Sequence, residues 1–226
     1  VKSDFERSRL SIDEAMAEAE LIAAEGFKDI LLVSSEDPQY ITADYLCELA
    51  GRLREKLSSV SIEIHQLEPA DYKKLFDAGI EGVTLYQETY DRRAYANYHP
   101  AGKKRDYDRR LRAADDVCRA GMREMGLGSL LGLTDWRTET LALAEHASYL
   151  MRRYWQCHVS FSFPRLRPAC KVEREKFEHL VSDAELVQML LALRLCFADA
   201  GMNMSTRESS ALRDKLIHLG VTRMSA

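Results

Sequence analysis

Ionisable side chains in this chain gather at one kind of place: on, or just past, short stretches that alternate like β-strands. Glu63 and His65 fall in Ser59–Gln66, Tyr86 and Glu88 in Gly82–Glu88, and Ser205 with Arg207 at the end of Met202–Thr206. Arg223 and Ser225 fall in Val221–Ser225, and Arg165 and Arg167 follow Cys157–Phe163. An arginine's planar fork pairs a carboxylate through two parallel hydrogen bonds, whereas a shielded carboxylate accepts from an ammonium group or a ribose hydroxyl. Mixed charge of this kind suits a zwitterionic, amino-acid-like ligand. Glu63, His65 and Tyr86 are the catalytic candidates. Plain alternatives stay open: Glu88 with Arg110 as a structural ion pair, Arg165 and Arg167 as surface charges.

The elements that must position these groups alternate. Ser11-Ile12-Asp13-Glu14 is a capping box that opens a helix running to Gly26. A strand follows and ends in Ser34-Ser35-Glu36. Helices are expected at 44–56, 69–78, 106–120, 136–154, 182–197 and 210–219, and strands at 59–66, 82–88, 125–133, 157–163, 202–206 and 221–225. One junction recurs, helix end then glycine then an apolar residue, at Gly26, Gly79, Gly121, Gly201 and Gly220. Glycine there supplies the left-handed residue that ends a helix. Seven strands alternating with helices predict a parallel sheet with right-handed crossovers. Because a helix comes first, the natural closure is a (β/α)8 barrel lacking its first strand, a single domain over 1–226. No GxGxxG follows any strand, which argues against a doubly wound dinucleotide fold.

Barrel interiors are usually filled by branched apolar side chains. Here one face of each strand is polar instead: Ser61, Glu63 and His65; Thr84, Tyr86 and Glu88; His158, Ser160 and Ser162; Asn203, Ser205 and Arg207; Arg223 and Ser225. The opposite faces, such as Val60, Ile62 and Ile64 or Val159, Phe161 and Phe163, suit packing beneath helices. The pattern predicts a polar lumen that holds a ligand of some size.

With 226 residues, 46% of them hydrophobic, the chain can bury a sizeable core. A net charge of −4 favours neither nucleic acid nor an acidic membrane surface, and no apolar run is long enough to span a bilayer. The five cysteines form no CxxC and the six histidines no HExxH, so no metal site is expected from these residues. Scattered thiols point to a reducing cytoplasm.

Taken together, the segments LLVSSE, SIEIHQL, GVTLYQETYD, YHPAGKKRDYDRRL, GLGSLLGLTDWR, RRYWQCHVSFSFPRLRPA, STRESSALRD and VTRMSA resemble the radical S-adenosylmethionine (SAM) enzymes. Within them, the chain is similar to the tyrosine lyases of thiazole biosynthesis, the 2-iminoacetate synthases, over nearly all of Ser11–Ala226. The resemblance implies a TIM-like barrel, a [4Fe–4S] cluster and SAM as cofactors, and a 5′-deoxyadenosyl radical that takes hydrogen from the amino nitrogen of L-tyrosine. The Cα–Cβ bond then breaks, giving p-cresol and 2-iminoacetate (dehydroglycine) for a thiazole synthase partner. A reductant such as flavodoxin or ferredoxin is implied. So are the site roles. Ser34, Ser35 and Glu36 would meet the SAM amino group, and Glu88 and Arg110 its ribose and methionine moiety. The strand holding Gly126, Gly128 and Leu130 would line the adenine. Ser205, Arg207 and Ser225 would grip the substrate carboxylate and amine, with Arg165 nearby.

The family's cluster-binding CxxxCxxC is missing from these residues. The resemblance therefore implies that those cysteines, with the first strand, precede Val1, and that this piece alone is inactive. The hydrogenase-maturation tyrosine lyase, which makes carbon monoxide and cyanide, shares QETYD and FPRL and is the nearest alternative. A barrel that only binds is another.

Overall fold

The computed structural model describes residues 8–167 and 177–225. Seven strands, β1 (Asp29–Val33), β2 (Ser59–Glu63), β3 (Gly82–Thr84), β4 (Glu124–Gly128), β5 (His158–Ser162), β6 (Gly201–Met204) and β7 (Arg223–Met224), lie side by side in chain order. Every neighbouring pair is parallel. This is the expected barrel-type sheet, and among the described residues β1 and β7 are its two edges. The helices are α1 (Ile12–Ala24), α2 (Ala43–Leu53), α3 (Pro69–Asp77), α4 (Arg92–Tyr98), α5 (Tyr107–Arg119), α6 (Trp136–Arg153), α7 (Asp183–Cys196) and α8 (Ser210–Ile217).

Local chemistry explains the helix starts. Ser11 and Ser182 each form a capping box with the glutamate three residues on, and Thr42, Asp91, Asp106, Asp135 and Ser209 cap with a side-chain oxygen. Helix ends follow the glycine junction at four of the five positions. Gly26, Gly79, Gly121 and Gly220 all have φ between 95° and 105°. Gly201 is the exception: it opens β6, and a Cβ there would sit 2.7 Å from Cβ of Ser160. Its role is close packing between strands, not a left-handed turn.

The core lies between the sheet's convex face and the helices. Val60, Ile62, Met125, Val159, Phe161 and Met202 are buried there against Leu49, Leu53, Leu75, Val117, Leu143, Leu150 and Leu190. Each such aliphatic side chain stabilises the fold by about 2 kcal/mol when fully buried. Strands are shorter than their apolar alternation suggests, because the chain leaves the ladder where polar residues turn towards the loops. Beyond the ladders, isolated bridges join Glu88 to Ser129 and Leu131 to Arg165. The segment after Glu88, where the sequence pattern gives no element before the helix expected at 106–120, contains α4 and a 3-10 turn at Lys103–Arg105.

Candidate active site

Two cavities adjoin on the concave side. The smaller, about 210 Å³, sits over the C-terminal ends of β1 to β3. Glu88 is its acidic wall. Its side chain is largely buried, it accepts a charge-assisted bond from Lys104 Nζ, and the Arg110 guanidinium stands 4.0 Å away. Arg110 is itself fixed by an Nε donation to the Tyr86 carbonyl at 2.8 Å. Glu88 is also the one non-glycine residue with positive φ, 75°, among those described. Such backbone costs about 1–3 kcal/mol and gathers at ligand sites. Ser34 Oγ and His65 Nδ1 are buried without a hydrogen-bond partner, and both residues line this cavity. Burial lowers the His65 pKa below the ordinary histidine value, which favours a neutral ring. Glu36 reaches the lining, whereas Ser35 is exposed and outside it.

The larger cavity, about 620 Å³, runs along the concave face. Ser61, Thr84, Ser162, Asn203, Ser205, Arg207, Arg223 and Ser225 line it, as the alternation predicts, and apolar residues such as Ile22, Phe27, Phe163 and Met224 share the wall. Strand β1 differs, contributing Leu31 and Val33 with 43% and 68% exposure. At the N-terminal end of the strands, Arg223 donates to Glu124 at 2.8 and 3.0 Å, Ser160 donates to Glu124 at 3.0 Å and Asn203 to Ser160 at 3.1 Å. This layer spends Arg223 on a protein carboxylate. His158 lies at the same end, bonded to the Asp199 carbonyl.

Glu63 and Tyr86 line both cavities, and the phenol donates to the carboxylate at 3.2 Å. Burial raises the Glu63 pKa; the Tyr86 bond and the nearby Arg207 charge oppose it. Burial, with the Glu63 charge, holds Tyr86 protonated. Among the described residues Arg207 has no carboxylate within ion-pair distance, and its backbone N–H donates to Ser205 Oγ at 3.4 Å. Ser225 Oγ accepts from the Thr206 N–H at 3.2 Å, so both hydroxyls shape the turn that carries Arg207.

Two groups of expected residues are placed differently. Arg165 is 2% exposed and turned into an ion cluster, donating to Glu208 and Asp183, and Arg167 also donates to Glu208. Glu208 is as buried as Arg165, and the pairing keeps its pKa below the ordinary value against the cost of burial. Neither arginine lines either of these two cavities, and Glu208 binds both. Gly126 and Gly128 face Thr84 and Tyr86: a Cβ at Gly126 would lie 2.4 Å from Thr84 Oγ1, and one at Gly128 2.8 Å from the Tyr86 ring. Those glycines make room for lumen side chains and are covered by them. Leu130 is half-buried and donates its N–H to the Glu88 carbonyl at 2.7 Å.

Sequence reading missed three acidic residues. Glu124 begins β4 one residue ahead of the expected start, in register with Gly82 and His158. Glu139 is 3% exposed in the first turn of α6, and Glu208 lies in the turn before α8. Only Glu124 carried a signal, as an earlier continuation of the strand's alternation.

Comparison with known proteins decides the family. The sequence profile of the radical SAM superfamily matches residues 2–144, and that of the Biotin and Thiamin Synthesis associated domain matches 162–226. The chain belongs to the radical SAM superfamily. Among curated relatives it is 39% identical to the 2-iminoacetate synthase of Escherichia coli (strain K12), over 96% of this chain and 58% of that protein. It is 38% identical to the Salmonella typhimurium enzyme with the same coverage. This radical SAM chain thus spans a little over half the length of the curated relatives it matches. Among solved structures, a crystal structure of HydG, a maturase of the [FeFe]-hydrogenase, superposes with TM-score 0.93 at 33% identity, covering all of this chain and 51% of that one. Methylornithine synthase shares the fold alone, with TM-score 0.73 at 21% identity over 98% of this chain and 63% of that one.

Radical SAM membership implies SAM and a [4Fe–4S] cluster. The residues of the smaller cavity fit SAM: a carboxylate for ribose hydroxyls, a guanidinium, and two buried polar atoms that lack partners. Among the described residues no three His, Cys, Asp or Glu side chains converge as metal ligands. Cys47, Cys118, Cys157 and Cys196 are free thiols, and Cys170 lies outside the described residues. No described helix is long and apolar enough to cross a membrane.

Proposed function

We propose that this chain is a single barrel domain of a radical SAM tyrosine lyase, a 2-iminoacetate synthase that cleaves the Cα–Cβ bond of L-tyrosine to 2-iminoacetate and p-cresol for thiazole assembly. The observation that carries this reading is the 39% identity to 2-iminoacetate synthase along 96% of the chain. The two adjoining cavities, one acidic-walled and one facing Arg207, agree with it. When bound, the cluster and SAM supply the one-electron chemistry that starts hydrogen abstraction.

The chain's own residues do the holding. Glu88 accepts from ribose hydroxyls, Arg110 pairs with the methionine carboxylate, and Ser34 and Glu36 meet its amino group, with Ser35 contributing only backbone to that loop. Leu130, bonded through its N–H to the Glu88 carbonyl, borders the adenine side, while Gly126 and Gly128 make room for Thr84 and Tyr86. In the larger cavity Arg207 presents its fork to the tyrosine carboxylate, with Ser205 and Ser225 shaping the turn behind it. Glu63 stands between the two ligands and accepts from the tyrosine ammonium; its raised pKa suits proton exchange there. Tyr86 and His65 keep that boundary polar without adding charge. The cluster cysteines belong to a part of the protein outside this sequence. The product passes to a thiazole synthase, electrons come from flavodoxin or ferredoxin, and the setting is the cytoplasm.

The test is anaerobic turnover of the full-length enzyme with SAM, a reductant and L-tyrosine. Formation of p-cresol and glyoxylate, the hydrolysis product of 2-iminoacetate, without carbon monoxide or cyanide supports the proposal. Carbon monoxide and cyanide would assign it to hydrogenase maturation instead, and no tyrosine-dependent product would leave a barrel that only binds.

A further inference from the structure

We propose that Glu139, outside both cavities, is a positioning residue that holds Glu88 in its left-handed backbone and so aims the Glu88 carboxylate into the smaller cavity. The consequence for ligand affinity rests on the reading that Glu88 contacts SAM.

The chain on either side of Glu88 is tied down. Before it, the Gln87 N–H donates to the Gly128 carbonyl at 3.0 Å; at it, the Glu88 carbonyl accepts from Leu130 at 2.7 Å. After it, everything converges on Glu139. The Tyr90 N–H lies 3.0 and 3.2 Å from its two carboxylate oxygens, and the Thr89 and Thr134 hydroxyls both donate to Oε1. Thr89 Oγ1 in turn accepts from the Asp91 N–H at 3.1 Å, and Tyr107 donates to the Tyr90 carbonyl at 2.9 Å. Thr89 is fully buried and Glu139 nearly so. All of these contacts to Glu139 are donors, and no described cation pairs with it. Its position in the first turn of α6 adds the helix's positive end.

Only a carboxylate can accept at both oxygens. A glutamine can face its oxygen to the Tyr90 N–H only by turning its amide N–H₂ to the Thr89 and Thr134 hydroxyls, which must rotate to accept, and the charge that draws these donors together is lost, so the segment 89–91 would loosen and shift. Residue 88 would then be released from a backbone region that a glutamate leaves when it can. Its carboxylate would swing out of line with Arg110.

The experiment is SAM binding to the full-length, cluster-reconstituted enzyme by anaerobic equilibrium dialysis. Glu139→Gln is expected to weaken SAM about tenfold, with cluster absorbance unchanged. In a Glu88→Gln background the same change should alter SAM affinity less than twofold, because its route to the ligand is gone. Unchanged affinity in the wild-type background, or an equal loss in both, overturns the proposal. If Glu139→Gln does not fold, Thr134→Val removes one donor bond and should weaken SAM two- to fivefold, again only when Glu88 is present; an equal effect without Glu88 overturns it. A crystal structure of either variant reads the backbone directly: φ at residue 88 should turn negative, and a φ still near 75° refutes the positioning claim. Wild-type SAM affinity in Glu88→Gln alone would instead refute the SAM contact, leaving the backbone claim to that structure.

Discussion

The Tyr86 hydroxyl donates to Glu63 at 3.2 Å, and these two side chains, with Val33 and Thr84, line both the smaller cavity and the lumen cavity. Of the two, Glu63 is the charged one and is assigned to the tyrosine ammonium, whereas Glu88 and Arg110 are assigned to SAM. Glu63→Gln in the full-length enzyme should therefore raise the tyrosine KM at least tenfold while SAM affinity stays within twofold. Steady-state kinetics beside dialysis would check this, and an unchanged tyrosine KM would remove Glu63 from the substrate side.

Glu88 makes a different prediction. Glu88→Ala should weaken SAM binding by tenfold or more, on the order of 1.4 kcal/mol or greater, with the cluster spectrum intact. Lys104 and Arg110 lose their shared carboxylate in that variant, so added anions should compete for the site.

Arg207 is a fork facing the lumen, and a lysine keeps its charge but not its geometry. Arg207→Lys should weaken tyrosine about tenfold without altering thermal stability. Equal tyrosine affinity in the two proteins would mean that the carboxylate is held elsewhere.

The Arg165–Glu208 pair is buried on both sides, unlike most ion pairs of this chain. Removing Glu208 leaves the buried Arg165 only the exposed Asp183 as a carboxylate partner among the described residues. Glu208→Gln should destabilise the fold by roughly 3–5 kcal/mol, seen as a lowered urea midpoint. Arg207, one residue away and exposed, should tolerate Arg207→Gln with little change in that midpoint.

His146 on α6 predicts a pH dependence. Burial pushes its pKa down to about 4, while its Nδ1 lies 2.9 Å from the Tyr90 hydroxyl. The unfolded chain takes up a proton near pH 6.5 and the folded chain only near 4. Stability is thus full above pH 6.5 and falls as pH drops towards 4, by on the order of 2–3 kcal/mol. His146→Asn should flatten that slope in urea titrations between pH 7 and 4.5.

The lumen was legible because five strands repeat the same polar alternation, and a parallel sheet under helices leaves those faces only the interior. Capping boxes and four glycine turns were legible for the same reason: the interaction closes within a few residues. What escaped depended on partners far along the chain. Glu139 finds Thr89 fifty residues away, and Arg165 finds Glu208 across forty-three. Alone, each looks like a surface charge on a helix or loop. Arg165, expected near the substrate from its place past a strand end, has its fork taken up by Glu208 and Asp183. Helix α4 escaped because Arg92–Tyr98 lacks apolar periodicity and buries only Tyr95.

The concave face carries the inward-pointing serines, Asn203, Glu63 and Arg207, while the main apolar core lies under the helices on the other side. Folding and ligand choice therefore draw on separate sets of residues. Descendants of such a scaffold could exchange inward-pointing groups, and with them the molecule they accept, while the shell that keeps the strands together stays as it is.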